Sequence, residues 1–193
     1  MLTIAVYRSI FFVAIGIWLF PEIIGTFTQN RVADGTQRDR GSYIVVHLTR
    51  YFAIGLGTVL ALQNNAPIFS AQVWIGYWLG ILLMVGGVAF RWYAIRCLGR
   101  YFTRVVMTQP DQQVVKTGPY RWIRHPSYTG VLLILLGYGL VLNDWLGLLV
   151  LLTISFAGFC YRVRVEERAL VEALGQSYVT YMGQTRRFIP FVL

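Results

Sequence analysis

Five long apolar segments, separated by short polar stretches, constrain this chain more than any other feature. They run over residues 4–24, 43–62, 73–93, 128–142 and 145–161. A helix that crosses a bilayer needs about 20 mostly apolar residues, and a shorter one is accommodated where the bilayer thins. The last two segments are joined by Asn143 and Asp144 alone, which predicts a tight helical hairpin. We therefore expect an all-α polytopic membrane protein with about five transmembrane helices.

The composition agrees with a chain that is partly solvated by lipid. Of its 193 residues, 56% are hydrophobic and 13% are charged, whereas soluble domains carry about 25% charged residues. A soluble domain of this size could not bury so much apolar surface. The length predicts a single membrane-embedded domain over 1–193, with three spans in 1–94 and the larger polar segments in 95–193.

The basic residues predict the orientation of the chain. Fourteen of the 17 lysines and arginines lie in the segments 31–40, 96–124 and 162–187, and none lies in 63–72 or 143–144. Because five spans alternate in direction, all three basic segments fall on one side of the membrane, which the positive-inside rule assigns to the cytoplasm. The C-terminus is then inside and the N-terminus outside. The net charge of +9 therefore indicates contact with membrane lipids and not with nucleic acid.

Three arginines fall within or near the predicted spans. Arg8 and Arg91 are interpreted as side chains that snorkel to an interface. Arg50 lies deeper, with His47 one turn earlier on the same helical face. An ionisable residue inside a span indicates a functional site by default, although the segment 43–62 that holds Arg50 contains no acidic residue. Gly76 and Gly80 form a GxxxG pattern, which is typical of close helix packing.

The segment 98–128 is the longest polar stretch. Valines at 105–106 and 114–115 flank a turn signal at Pro110-Asp111, which predicts an extended excursion or a hairpin. Pro126 disfavours helix at His125 and is suited to the first turn of the fourth helix. The unpaired N–H groups at that helix start suit a carboxylate or a phosphate. Alternatively, Arg124 and His125 only anchor the helix to lipid headgroups.

The C-terminal segment holds the second set of candidate residues. Arg162, Glu166 and Leu170 recur every four residues and share one helical face, and Glu167 lies beside it. Glu166 could be no more than a solvated partner of Arg162, as many surface pairs are. Gly175 is typical of a residue that ends a helix.

These motifs together resemble those of a known family. RHPSY at 124–128, a hydrophobic hairpin and EERAL at 166–170 are similar to the signature of the isoprenylcysteine carboxyl methyltransferase family. QQVVKTGPY at 112–120 resembles the pattern that precedes RHPxY in that family. The C-terminal residues follow it too: Tyr178, Tyr181, Arg187, Phe188 and Pro190. The resemblance covers roughly 98–190, about half of the chain, and makes 95–193 the predicted catalytic region.

The resemblance implies S-adenosylmethionine as cofactor and no metal. Glu166 and Arg162 are the implied catalytic residues, Glu166 contacting the cofactor and Arg162 facing the methyl acceptor. The positions that would line the cofactor are Gln112, Gln113, Val114, Val115, Tyr120, His125, Pro126, Ser127, Tyr128 and Glu166. The chain is shorter at its N-terminus than eukaryotic members, whose additional spans shape the entrance for the lipid substrate.

The predicted reaction is methyl transfer to a lipophilic acceptor that enters from the bilayer, with the active site facing the cytoplasm. A prenylcysteine-like carboxylate is favoured because it is already ionised at neutral pH. An amine or thiol acceptor would need a base to remove its proton, and His125 and Glu167 are the only obvious candidates for that base. The alternatives are a phospholipid or small-molecule N-, S- or O-methyltransferase of related fold, a small membrane transporter, and a non-catalytic scaffold. Binding of S-adenosylmethionine to the purified protein separates these classes.

Overall fold

The structure, a computed structural model, describes residues 4–28, 36–37, 39–63, 66–69, 71–109 and 111–189. Six α-helices make up most of this part of the chain. They are α1 (Ile4–Thr28), α2 (Ser42–Gln63), α3 (Val73–Leu98), α4 (Pro126–Leu142), α5 (Trp145–Leu174) and α6 (Gln176–Gln184). Two short strands, β1 (Thr36–Gln37) and β2 (Met107–Thr108), and two 3-10 turns, Gly99–Tyr101 and Gly118–Arg121, complete the described elements.

The helical membrane fold is confirmed. Within the described residues, three helical stretches are long and apolar enough to cross a membrane: Ser42–Gln63, Val73–Tyr101 and Trp145–Leu174. Val6–Phe20 and Pro126–Leu142 are shorter apolar helices, so the count of five spans stays a prediction. Large apolar side chains such as Leu62, 79% exposed, and Leu82, 68% exposed, lie on the outer faces of these helices. Such faces suit contact with lipid tails, because their side chains are apolar and the helices satisfy their own backbone hydrogen bonds.

The α4–α5 hairpin is confirmed and its turn is explained by two polar residues. Asn143 ends α4 in the left-handed conformation, with φ of 55°, and Asp144 caps α5 by accepting a hydrogen bond from the Gly147 N–H at 2.7 Å. The same pair of residues also binds the segment between α2 and α3. Asp144 accepts a hydrogen bond from the Ala66 N–H, and Asn143 exchanges two hydrogen bonds with the backbone of Phe69. Helix α5 continues well beyond residue 161, where the apolar run ends.

Helices α3 and α4 pack with their backbones in close contact. A Cβ atom at Gly80 would lie 2.5 Å from the carbonyl oxygen of Gly137, and one at Gly87 would lie 2.7 Å from that of Gly130. Small residues at such positions allow close approach of membrane helices. The packing interpretation of the Gly76–Gly80 pattern is therefore confirmed at Gly80.

The expected hairpin between 105–106 and 114–115 is wrong. Residues 107–108 form β2, but its antiparallel partner is β1, with Thr36 opposite Thr108 and Gln37 opposite Met107. Residues 112–116 remain irregular. The physical reason is that Asp39, just after β1, accepts a hydrogen bond from the Val106 N–H at 3.3 Å and so holds the two distant segments together.

Candidate active site

A cavity of about 1250 Å³, part of it open to solvent, is enclosed by the polar segment 98–124 and by helices α2 to α6. Its wall is polar on one side, where Gln112, His125 and Glu166 border it. It is mostly apolar on the other, where Val46, Val131 and Phe159 lie. A concave site that combines both kinds of wall is suited to an amphipathic ligand.

The polar end is built at the start of α4. His125 precedes the helix with φ of −125°, and Pro126 occupies the first turn, where its missing N–H leaves no hydrogen bond unmade. The C-terminal segment fixes this start from outside, because the N–H groups of Arg124 and His125 donate to the carbonyl oxygens of Arg186 and Arg187 at 2.7 and 3.1 Å. The RHPSY motif is therefore positioned by residues about 60 positions later in the chain.

Glu167 holds the basic residues around this helix start. Its carboxylate accepts from Arg124 Nε at 2.9 Å and from Arg187 Nη2 at 2.8 Å, and His125 Nε2 lies 3.5 Å from Glu167 Oε1. The Glu167 side chain is 5% exposed. A buried carboxylate with two arginine partners is a structural counter-ion, which makes Glu167 a poor base for the reaction.

Glu166 is the carboxylate that faces the cavity. Its Oε2 accepts a hydrogen bond from the Tyr128 hydroxyl at 3.0 Å and lies 3.8 Å from His125 Nδ1. Its side chain keeps 29% of its surface exposed, so its remaining lone pairs are accessible from the cavity. Residues 166 and 167 thus have different environments because consecutive positions on a helix point about 100° apart.

Arg162 borders the same cavity, but its partner is Asp39 and not Glu166. The two side chains form an ion pair, and both are almost completely buried. Arg162 also donates to Ser42 Oγ and to the Arg104 carbonyl, both at 2.6 Å, and through Nε to the Tyr128 hydroxyl at 3.3 Å. These contacts use four of the five guanidinium N–H groups.

Asp39 was not predicted from the sequence. Burial raises the pKa of its carboxyl, but the Tyr43 N–H, Arg162 and the Val106 N–H together hold it below the ordinary value of 3.8. Asp39 therefore stays ionised and balances the charge of Arg162. Its position in the sequence could have identified it as a candidate, because Asp39 is one of only eight acidic residues in the chain and lies directly before a predicted span.

Three buried tyrosines complete the polar end. Tyr181 donates to the Tyr120 carbonyl at 2.7 Å, and its ring lies 5.7 Å from that of Tyr178. Burial raises the pKa of Tyr181 to about 12 and raises the pKa values of Tyr120 and Tyr178 further. These phenols are therefore neutral at physiological pH, so they offer hydrogen bonds and aromatic faces but no charge.

The structure brings the predicted site residues together. Of the positions expected to line the cofactor, Pro126 is buried behind the wall, and the others border the cavity: Gln112, Gln113, Val114, Val115, Tyr120, His125, Ser127, Tyr128 and Glu166. Arg162 borders it as well. In the described part of the chain, no group of three or more His, Cys, Asp or Glu side chains is arranged to hold a metal ion.

Two arginines of the predicted spans also border the cavity. Arg91, expected to snorkel to an interface, instead donates to Ser127 at the start of α4, to the hydroxyl at 2.5 Å and to the carbonyl at 3.3 Å. Arg50 borders the cavity from α2 and is 5% exposed. Sequence reasoning singled out Arg50 but missed Arg91, because a position near the end of an apolar run does not show which way a side chain points.

Comparison with known proteins finds a family similar to the central part of this chain. Residues 78–172 match the model of the isoprenylcysteine carboxyl methyltransferase (ICMT) family. This range holds both the RHPSY and the EERAL motif. Over this range the chain is similar to the ICMT family. Its cavity is formed largely by residues within the matched range, and the integral membrane character of the chain fits the family.

The ICMT relatives are longer than this chain. It is 36% identical over 116 residues to the protein-S-isoprenylcysteine O-methyltransferase of Saccharomyces cerevisiae, covering 59% of this chain and 48% of the yeast protein. It is 28% identical over 196 residues to the enzyme of that name from Tribolium castaneum, covering 100% of this chain and 64% of the beetle protein.

A solved structure shows the same fold. The eukaryotic intramembrane Ras methyltransferase ICMT aligns with a TM-score of 0.61 at 25% identity, over 96% of this chain and 65% of the solved chain. The chain therefore spans between about half and two thirds of the length of these relatives.

Proposed function

We propose that this chain is an S-adenosylmethionine-dependent methyltransferase that methylates a lipophilic acceptor, with a prenylcysteine-like carboxylate as the favoured substrate. The observation that carries the proposal is one cavity that joins the RHPSY and EERAL residues to an apolar end between membrane helices. Such a cavity suits a water-soluble donor at its polar end and the apolar part of an acceptor at the other.

The chemistry of the residues at the polar end suits S-adenosylmethionine. The helix start at His125 and Ser127 suits the carboxylate of the donor, and Glu166 suits its ammonium group through a charge-assisted hydrogen bond. Tyr120 and Tyr178 offer neutral aromatic faces, which favour a nearby cation. Gln112 and Gln113 add uncharged donors and acceptors in the wall. When bound, the donor supplies an electrophilic methyl group on a positively charged sulfur.

The protein's task in this reaction is alignment, since a carboxylate acceptor needs no base at neutral pH. Arg162 retains one N–H group beyond its four hydrogen bonds, and we propose that this group helps to orient the acceptor. Tyr128 joins Arg162 to Glu166, because its hydroxyl accepts from the first and donates to the second. The donor side and the acceptor side of the cavity are thus held in one hydrogen-bonded chain.

We also propose that the cavity opens toward the cytoplasm. The basic residues at 96–124 and 162–187 flank the polar end, and the positive-inside rule assigns such segments to the cytoplasmic face. A cytoplasmic opening gives the cavity access to the water-soluble donor.

The test is an acceptor panel with methyl-labelled S-adenosylmethionine and the purified protein in detergent. The panel contains a farnesylated cysteine with a free carboxylate, phosphatidylethanolamine and a small lipophilic thiol. We expect label on the farnesylated cysteine that is released as methanol by mild base, as a methyl ester requires. Base-stable label on the lipid amine or the thiol would indicate the alternative N- or S-methyltransferase, and no transfer to any acceptor would contradict the proposal.

A further inference from the structure

Arg50 occupies an unusual position for a charged residue. It lies eight residues into α2, which at 1.5 Å per residue places it about 12 Å along the helix from its start. It is 5% exposed and borders the cavity together with Val46 and His47. A charged group at such depth is costly and marks a functional site more often than not.

The hydrogen-bonding capacity of Arg50 is largely unused. Its contacts among the described residues are a 3.4 Å hydrogen bond from Nη2 to the Tyr51 hydroxyl and stacking of the guanidinium over Tyr51 at 5.0 Å and Trp18 at 6.0 Å. Arg50 Nε has no hydrogen-bond partner among the described residues, and neither has the indole Nε1 of the adjacent Trp18. Both nitrogens are donors only. Two neighbouring buried donors without an acceptor indicate that an oxygen-bearing group belongs there.

The charge of Arg50 is also unbalanced in the part of the chain whose side chains are described. Arg162 is paired with Asp39 and Arg124 with Glu167, whereas no acidic side chain in that part forms an ion pair with Arg50. An isolated buried cation is strongly unfavourable, and an anion that binds beside it removes that penalty. A ligand group that satisfies both donors and also balances the guanidinium charge would carry an anionic oxygen.

We propose that the α2 wall of the cavity is an anion subsite in which Arg50 receives the anionic oxygen group of a membrane-borne amphiphile. Val46, Val131 and Phe159 would contact the apolar part of that molecule. The anion is either the carboxylate of the methyl acceptor, an assignment that rests on the proposed function, or the phosphate of a lipid. In either case Arg50 selects ligands by charge, independently of Glu166.

The test measures binding without any methyl donor, so that a failure of methyl transfer does not affect its outcome. Affinities for a farnesylated cysteine and for its neutral methyl ester are compared in the wild type, Arg50→Gln, Arg50→Lys, Arg91→Gln and Arg96→Gln. Arg96 is exposed and does not border the cavity, so it is the matched control. A second arm compares thermal stabilisation of the same proteins in nanodiscs with and without phosphatidic acid.

We expect Arg50→Gln to weaken binding of the acid by about tenfold or more, as for a lost charged hydrogen bond, with ester binding unchanged. Arg50→Lys should retain part of the preference for the acid, and Arg96→Gln all of it. If only the thermal stabilisation by phosphatidic acid depends on Arg50, the anion is a lipid phosphate. If it depends on Arg91→Gln and not on Arg50, or if neither arm depends on Arg50, the proposal is wrong.

One further outcome would overturn it. The sequence places Glu22 one helical turn after Trp18. In this outcome, Arg50→Gln and Glu22→Gln each lower the free energy of unfolding of the ligand-free protein, and the double variant lowers it no further than either single variant. Such a result would make Glu22 the counter-ion of Arg50. The subsite would then not need an external anion.

Discussion

Replacing Asp39 by asparagine is expected to destabilise the protein severely. The Asp39 carboxylate accepts from Arg162, from Ser42 Oγ at 3.0 Å, and from the N–H groups of Tyr43 and Val106 at 3.0 and 3.3 Å. The side chains of Asp39 and Arg162 are 6% and 3% exposed. Removing one partner of a buried ion pair costs about 3–5 kcal/mol because the other charge is left uncompensated. We expect Asp39→Asn to fall in that range.

The assay is equilibrium unfolding in mixed detergent micelles, followed by tryptophan fluorescence. Asp111→Asn is the control, because Asp111 and Arg100 form a 2.6 Å ion pair whose side chains are 56% and 67% exposed. Solvent screens such a pair, so this variant should unfold like the wild type. A double-mutant cycle of Asp39→Asn with Arg162→Gln should give a coupling of about 1–3 kcal/mol. If Asp39→Asn is as mild as Asp111→Asn, the pair is solvated and the account of Arg162 is wrong.

Three further predictions follow from the packing, the titration of Asp39 and the orientation. Gly87→Ala should destabilise the protein by about 1–3 kcal/mol through overpacking against α4. Gly86→Ala is the control, because a Cβ atom at Gly86 would meet no atom within 4 Å. Both variants are measured by the same unfolding assay. Folding lowers the pKa of the Asp39 carboxyl, so the ionised carboxylate stabilises the protein above pH 3.8, and this stabilisation is lost as the pH falls through the lowered pKa. The free energy of unfolding of an Asp39→Asn variant should therefore decrease less at acid pH than that of the wild type. Cysteines introduced at Asn143 and Gln184 should react with impermeant reagents from opposite sides of the membrane, and labelling from the same side would contradict the five-span topology.

The elements that depend on local sequence could be predicted. The apolar runs gave the membrane helices because a spanning helix has a characteristic length. Pro126 marked the start of α4, and Asn143 and Asp144 marked the hairpin. Gly175, with φ of 56°, ends α5 as expected. Each of these signals lies within a few residues of the feature that it predicts.

The contacts that depend on distant residues could not be predicted. Asp39 and Arg162 are 123 positions apart, and the pairing of β1 with β2 joins segments separated by the helices α2 and α3. The sequence indicated that Glu166 and Glu167 both lie near the site, but it could not assign one to the cavity and the other to Arg124 and Arg187. That distinction depends on the rotation of α5 against the C-terminal segment. The roles of the predicted site residues in binding stay predictions.

Direct binding of S-adenosylmethionine tests the central claim most closely. Calorimetry on the detergent-solubilised protein should show binding to the wild type and to Glu172→Gln, an exposed position on α5. Glu166→Gln should lose on the order of 2 kcal/mol of binding free energy, about thirtyfold in affinity, because a charged hydrogen bond in a partly dry site is lost. No binding to the wild type, or equal affinities for the wild type and Glu166→Gln, would contradict the assignment of this cavity as a methyl-donor site.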